Sequence, residues 1–288
     1  MERIGRMRKY IGIALVFVVV LLITAIIIRG SNDSVEVYDE FVQPIEYNDS
    51  LLADIFVGQT LLEIPRYDYK ADEKILVKRG FTVSFNPNTK LPNWVAYELT
   101  SDETDGPWAR KGLRFVQDPD CPLRQADNED YRNSGYARGH LAPAGDMKWD
   151  SLAMVESFYF TNCMPQDIKF NNGKWNQLEN KVRQWARKYG KVYVVCGPVF
   201  TEEDTLRIGA NGVAVPDACF KALLVPKEDT FSAIAFLMWN GGEERPLKDC
   251  ACTVDELEAM LSMDFFYNLP DGIENAVEDT VVARDWGF

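Results

Sequence analysis

The most hydrophobic stretch of the chain lies near its N-terminus. The run from Ile11 to Ile28 has 18 residues without a charge and follows the basic residues Arg3, Arg6, Arg8 and Lys9. As a helix it would be about 27 Å long at about 1.5 Å per residue, close to the ~30 Å hydrocarbon layer of a bilayer. Basic residues ahead of such a run predict a cytoplasmic N-terminus and an extracytoplasmic remainder. We therefore expect a single-pass protein of the cell (inner) membrane.

A cleaved signal peptide is the alternative interpretation of this run. The apolar stretch is long for a signal peptide, and no A-x-A-like cleavage site follows it. The pattern then divides the chain into four segments. They are a basic cytoplasmic tail (1–10), a transmembrane anchor (11–28), an acidic juxtamembrane spacer (29–74) and a folded domain (75–288).

Short β-rich segments follow the spacer. Gly80 to Phe85 and Trp94 to Thr100 are joined by the turn residues Asn86-Pro87-Asn88, which predicts a hairpin or meander. Four further strands are predicted by apolar runs between turn signals: Ser157 to Thr161, Val192 to Cys196, Phe220 to Val225 and Phe231 to Trp239.

Helical periodicity is clearest from Lys174 to Tyr189, where Leu178, Val182, Trp185 and Tyr189 share one face. A second helix is predicted after Thr253, which forms a capping box with Glu256, and a third from Leu152 to Glu156. Strands and helices alternate without a regular βαβ rhythm. The pattern therefore predicts an α+β fold with a central, mainly antiparallel sheet flanked by helices.

Charge changes this picture in one region. The net charge of −13 argues against a polyanionic partner. From Tyr131 to Lys191, however, ten Lys and Arg stand against five Asp and Glu, and this stretch holds the only histidine. A solvated helix face would explain the basic residues alone, but their coincidence with the histidine favours an anion site.

The six cysteines fit an oxidising compartment without proving one. Cys163 and Cys196 lie in apolar, strand-like runs and are interpreted as buried thiols. Zinc is disfavoured because the chain has no C-x-x-C pair and no second histidine.

The histidine lies in the stretch YARGHLAPAGDM, residues 136–147. Arg138 offers a fork for phosphate or carboxylate, and Gly139 lets the backbone approach closely. Downstream, Asn171 could serve chemistry or equally cap the following helix. Glu179 and Arg183 are four residues apart, and as a surface ion pair they would contribute only a few tenths of a kcal/mol.

Five ordered motifs extend this pattern: WVAYELT, RGHLAPAGDM, ESFYFTNCMPQ, FNNGKWNQLE and VYVVCGPVF. Together they resemble the DNA/RNA non-specific endonucleases, the endonuclease G-like nucleases with a ββα-metal active site. The resemblance covers roughly Phe81 to Glu278, and several motifs at compatible intervals are far more specific than any one of them. It implies that residues 75–288 form an endonuclease domain with that active site.

The resemblance also implies roles for single residues. His140 would be the general base, Asn171 the direct metal ligand, and Glu179 a carboxylate in or beside the metal site. Arg138, Arg183 and Arg114 would act at the phosphate. Asn162 and Gln166 would support the site. Mg²⁺ is the expected cofactor, with Mn²⁺ or another divalent cation as alternatives.

One departure from the family pattern is Ala137, where the family often has Asp before Arg-Gly-His. Its loss puts metal affinity in doubt more than reaction type. The expected activity is metal-dependent hydrolysis of DNA, RNA or both with little sequence preference, because phosphate and sugar contacts carry no base readout. Alternatives are a phosphodiesterase on smaller substrates and an inactive, membrane-anchored nucleic-acid receptor. A homodimer is an open option.

Overall fold

The computed structural model describes residues 61–67, 72–201 and 205–288. The predicted tail and anchor lie outside this range, as does the predicted spacer up to residue 60. Among the described residues, no helix is both long and apolar enough to cross a membrane.

The fold is built on a seven-stranded sheet, and every pair of neighbouring strands in it is antiparallel. Its strands are β2 (Lys74–Val77), β3 (Thr82–Asn86), β4 (Leu91–Thr100), β7 (Lys191–Val199), β10 (Ala218–Pro226), β11 (Phe231–Trp239) and β12 (Ala251–Cys252). Their order across the sheet is β12-β11-β10-β7-β4-β3-β2. The predicted antiparallel sheet is confirmed.

The central strands are continuous apolar runs because they are buried on both faces. Residues of β10 from Ala218 to Val225 are all buried, and Lys221 is the only charged side chain among them. The turn at 227–230 joins β10 to β11, so these neighbours in sequence are also neighbours in the sheet.

Three small strand pairs lie outside this sheet: β1 (Arg66–Tyr67) with β13 (Met263–Asp264), β5 (Tyr136–His140) with β6 (Cys163–Asp167), and β8 (Arg207–Ile208) with β9 (Val213–Ala214). Strand β1 lies upstream of residue 75, where the domain was predicted to begin. The β5–β6 pair carries the histidine motif.

The α-helices of the described residues are α1 (Asn128–Tyr131), α2 (Ser151–Glu156), α3 (Ile168–Phe170), α4 (Asn176–Tyr189), α5 (Val254–Leu261), α6 (Asp271–Glu278) and α7 (Ala283–Trp286), and short 3₁₀ turns occur between elements. A π-helical turn, Asn171–Trp175, connects α3 to α4. The capping box of Thr253 with Glu256 at α5 is confirmed.

Helix α4 is the long helix predicted from periodicity. Leu178, Val182 and Trp185 are buried against β4, β7 and β10, whereas Tyr189 is only partly buried. Gly190 ends the helix with φ +84°, a conformation that costs glycine little.

The predicted strand from Ser157 to Thr161 is wrong. The backbone N–H of Ser157 still donates to Ala153 in the last turn of α2, and Phe160–Asn162 form a 3₁₀ turn. Tyr159 makes a single bridge to Val116. The strand begins only at Cys163, because strand β5, its hydrogen-bonding partner, pairs with residues 163–167.

All six cysteines are free thiols. Cys163 and Cys196 are both buried, as their apolar surroundings predicted. Burial raises the pKa of the Cys163 thiol to about 12, so it stays protonated at neutral pH.

Candidate active site

The β5–β6 ladder positions the histidine motif, with His140 opposite Cys163. Side chains alternate along a strand, so Arg138 and His140 share one face and Ala137 and Gly139 the other. A Cβ on Gly139 would lie 2.1 Å from Gln166 Oε1, so the position requires glycine while Gln166 packs there. The family's missing carboxylate at Ala137 therefore belongs to the face that does not carry His140.

Asn162 holds the loop that follows the histidine. Its side chain is fully buried, accepts from the Ala142 N–H at 2.9 Å and donates to the Ala142 carbonyl at 2.8 Å. It also donates to the Ser157 carbonyl at 2.9 Å. These three bonds satisfy backbone groups that burial would otherwise leave unpaired.

The ring of His140 lies between two aromatic side chains. Its centroid is 4.7 Å from that of Phe115 and 4.9 Å from that of Phe158. Its Nε2 is buried and has no hydrogen-bond partner within the described chain. Burial first, and the charge of Arg110 second, lower the pKa of His140 to about 3. The imidazole is therefore neutral at pH 7, as a proton acceptor must be.

Asn171 begins the π-helical turn, a feature that often occurs at functional sites. It does not cap the helix. The cap is Asp167, whose carboxylate accepts from the N–H groups of Lys169 and Phe170 at 2.8 and 3.0 Å. The capping interpretation of Asn171 is therefore wrong, and its amide is left to the pocket that it lines.

Arg183 is held by a buried carboxylate. Its Nη1 donates to Asp146 Oδ1 at 2.5 Å, and Tyr97 donates to the other oxygen of Asp146 at 2.9 Å. Asp146 is fully buried. Within the described residues, the ion pair of Arg183 is with Asp146 and not with Glu179, so the surface-pair interpretation of this i, i+4 spacing is wrong. Gly145 permits the approach, since a Cβ there would lie 2.7 Å from Arg183 Nη1.

Glu179 lines the same pocket, and its charge interacts with that of a buried lysine, Lys221. Burial, partly offset by Lys221 and reinforced by Asp146, raises the pKa of Glu179 to about 7. Lys221 is fully buried, and its Nζ is 4.9 Å from the centroid of the Trp175 ring. The sequence interpretation missed Lys221, although a lysine inside the apolar run ACFKALLVP is a visible signal.

These side chains meet at one open pocket of about 470 Å³. Its lining includes His140, Arg138, Asn171, Glu179 and Arg183, so the fold brings together five of the predicted site residues. Asn162 and Gln166 are fully buried and do not line the pocket; Asn162 lies in the turn before β6, and Gln166 lies in β6. Other lining residues are Trp108, Ala109, Arg110, Pro143, Ala144, Gly145, Lys148, Met154, Asn172 and Asn176.

Arg114 differs in position from the five predicted residues that line the pocket: its side chain is exposed and does not line the pocket. Arg110, four residues earlier, does, and its guanidinium carbon is 5.5 Å from the centroid of the Phe158 ring. Both residues lie in an irregular loop, where spacing along the chain does not tell which side chain turns inward. With Arg110 and Lys148, four cationic side chains line the pocket against the single carboxylate of Glu179.

The family of this chain can be read from its similarity to known protein families. The family model described as DNA/RNA non-specific endonuclease matches residues 59–272. The chain belongs to this family. The match spans the sheet strands, the β5–β6 ladder and the pocket, so the resemblance carried by the motifs is confirmed.

Individual members of the DNA/RNA non-specific endonuclease family are clearly similar to this chain. Mitochondrial nuclease EXOG of Xenopus laevis is 36% identical over 202 residues, covering 65% of this chain and 56% of the relative. Mitochondrial endonuclease G of Bos taurus is 34% identical over 220 residues, covering 72% and 74%. The chain thus spans little more than half the length of the EXOG relatives it matches.

A solved structure supports the fold. The chain matches a crystal structure of the EndoG/EndoGI complex, described as showing the mechanism of EndoG inhibition, with a TM-score of 0.65 and 29% identity. The match covers 69% of this chain and 88% of that one.

The comparisons overturn the predicted location. The similar EXOG, endonuclease G and Schizosaccharomyces pombe nuclease 1 proteins are named mitochondrial. The prediction of a single-pass protein of the cell membrane with an extracytoplasmic catalytic domain is therefore wrong. It rested on residues 11–28 and on a charge rule that assumes insertion into that membrane.

Proposed function

We propose that this protein is a metal-dependent endonuclease that hydrolyses phosphodiester bonds of DNA, RNA or both with little sequence preference. The observation that carries the proposal is the placement of its only histidine. In a chain of this nuclease family, a neutral imidazole with an unpartnered Nε2 lies at the same pocket as Asn171, Glu179 and three arginines.

The pocket suits a hard divalent cation. Asn171 offers an amide oxygen and Glu179 a carboxylate oxygen, which are donor types that Mg²⁺ and Mn²⁺ accept. Mg²⁺ keeps most of its waters, so two protein donors are enough. Asn171 would bind the ion directly, with Glu179 at it or at its waters. A bound cation supplies charge neutralisation at the scissile phosphate.

The chain's own residues supply the remaining chemistry. His140 takes a proton from the attacking water at Nε2 when its own ring proton is on Nδ1. Arg110, Arg138 and Arg183 bind the non-bridging phosphate oxygens, which gain negative charge in the transition state. We assign the upstream phosphate contact to Arg110 and not to Arg114. Asp146 and Tyr97 keep Arg183 in place before the substrate arrives.

Trp108 favours a polymeric substrate over a small phosphodiester. It lines the pocket and is 47% exposed, although large aromatic side chains are usually well buried. An exposed indole gives a stacking platform for a nucleotide next to the scissile bond, worth about 1–3 kcal/mol per base.

Trp108→Ala should slow cleavage of single-stranded DNA and RNA about fivefold or more. It should leave cleavage of bis(4-nitrophenyl) phosphate within about twofold, because that substrate has no flanking base.

The decisive experiment is digestion of plasmid DNA and of RNA by the full chain in Mg²⁺, with and without EDTA. Nicking should require the metal and fall about 10²-fold or more in His140→Ala. Arg132→Ala is the control, since Arg132 is exposed, pairs with Glu129 at the surface and does not line the pocket. Equal cleavage by wild type and His140→Ala would remove His140 from the mechanism. Binding without cleavage in any metal would favour the receptor alternative.

The predicted bounds of the catalytic domain, 75–288, stay a prediction, and strand β1 and the start of β2 lie upstream of residue 75. A homodimer stays an open option that the similarity to the family suggests. Sedimentation of the purified chain measures the assembly, and a monomer at micromolar concentration would contradict it.

A further inference from the structure

Three carboxylates lie close together on helices α5 and α6, away from the active-site pocket. Asp255 and Glu258 belong to α5, and Glu278 is the last residue of α6. One carboxylate oxygen from each of the three lies within 4.8 Å of the other two. None of the three lines the pocket around His140.

Glu278 is the member that ordinary surface acidity does not explain. It is only 4% exposed, and its buried Oε1 has no hydrogen-bond partner in the described part of the chain. Removing a carboxylate from water is costly unless it is paired or binds a metal. Glu258 is partly satisfied, because its Oε1 accepts the N–H of Phe265 at 2.6 Å.

The local sequence offers these groups no counter-charge. From Thr253 to Ala283 the chain has eight Asp and Glu and no Lys or Arg. Arg66 reaches this region from elsewhere in the chain and pairs with Asp264 at 3.5 Å. The buried carboxylate of Glu278 therefore faces the carboxylates of Asp255 and Glu258 with no cation of this segment beside it.

We propose that Asp255, Glu258 and Glu278 form a divalent-cation site, separate from the catalytic one and suited to Ca²⁺. A dication removes the repulsion among three carboxylates that no side chain of the segment can balance. Ca²⁺ takes six to eight oxygen ligands in a flexible arrangement, and carboxylates can be mono- or bidentate. Asp255 is exposed, so water has access to complete the shell.

The consequence of binding would be structural. Helices α5 and α6 both contact strand β11, and a cation between Glu258 and Glu278 would join the two helices to each other. The site would stabilise the C-terminal part of the fold, so its loss should not abolish the chemistry at His140.

The test is thermal unfolding of the full chain, stripped with EDTA and titrated with CaCl₂. Binding to the folded state alone should raise Tm by about 4 °C or more at saturation. Asp255→Asn and Glu278→Gln should lose most of this rise. Asp271→Asn is the control, because it removes the same charge from an exposed position at the other end of α6 and should keep the full rise.

Two further measurements separate this site from the catalytic one. Isothermal titration of Ca²⁺ should give one fewer bound ion in Asp255→Asn, while that variant cuts plasmid DNA in Mg²⁺ at the wild-type rate. Asn171→Ala should lose cleavage and keep the Ca²⁺-dependent rise in Tm. A rise that is absent, or equally large in Asp255→Asn, would overturn the proposal and leave protonated carboxylates as the reason for the cluster. Because Asp255 is exposed, this result does not depend on whether Glu278→Gln folds.

Discussion

Arg183 is held by Asp146, 37 positions earlier in the chain, and not by Glu179 one helical turn away. This pairing leaves the Glu179 carboxylate free for the pocket and fixes a phosphate-side guanidinium in advance. The pair is also buried, with Asp146 fully and Arg183 largely removed from solvent. Removing one partner should therefore cost more free energy of unfolding than it would in an exposed ion pair, because the other charge would stay buried and unpaired.

Replacement of Asp146 tests this arrangement. Asp146→Asn should destabilise the fold by about 3 kcal/mol, because it leaves a largely buried guanidinium without its counter-ion. Tyr97→Phe removes only one hydrogen bond to the same carboxylate and should cost about 1 kcal/mol. Urea unfolding measures both, and equal costs for the two variants would show that the Arg183 charge is not compensated by Asp146.

Arg110 and Arg114 offer a matched pair in one loop. Arg110→Ala should lower plasmid cleavage about tenfold or more, since a hydrogen bond to a charged group contributes about 1.5–3 kcal/mol. Arg114→Ala removes the same charge from an exposed side chain outside the pocket and should change the rate less than about twofold. Initial rates on supercoiled plasmid measure both. The reverse ranking would restore Arg114 as the phosphate contact.

The single histidine makes its ionisation directly observable. With a pKa of about 3, His140 should show no titration of its ring ¹H and ¹³C resonances between pH 8 and pH 5. Because the folded pKa is below the unfolded value of about 6.5, stability from the neutral ring is complete above pH 6.5 and is lost as pH falls towards 3. An NMR midpoint near 6.5 would show that the ring is solvated in solution.

Lys221 should influence the metal site through its charge. Lys221→Met keeps a long side chain and removes the cation that lies against Trp175 and lowers the pKa of Glu179. We expect Mn²⁺ affinity, measured by isothermal titration, to fall about tenfold or more at pH 7, because more Glu179 is then protonated. Thermal stability should stay level or rise, since a buried charge is replaced by an apolar group. Unchanged Mn²⁺ affinity would show that Lys221 has no influence on the ion.

Local pattern alone predicted several elements correctly. The 3.6-residue spacing of Leu178, Val182 and Trp185 predicted the face that α4 buries, and the turn residues at 226–229 predicted the break between β10 and β11. It failed from Ser157 to Thr161, where an apolar, aromatic run has strand composition. That run continues α2 into a turn because Asn162 and Val116 supply its polar contacts from elsewhere in the chain.

The sequence by itself determined the nuclease family, through ordered motifs, and the helix and strand periods that bury one face of each element. Only the tertiary structure decided that Asp146 pairs with Arg183, that Arg110 and not Arg114 turns to the pocket, and that the charge of Lys221 acts on Glu179. These relationships join residues from different elements, and a side chain's partner across such distances is set by how the elements pack. Local spacing predicts which face of a helix or strand a residue lies on. The charged group that its side chain contacts there depends on how the elements pack in the whole fold.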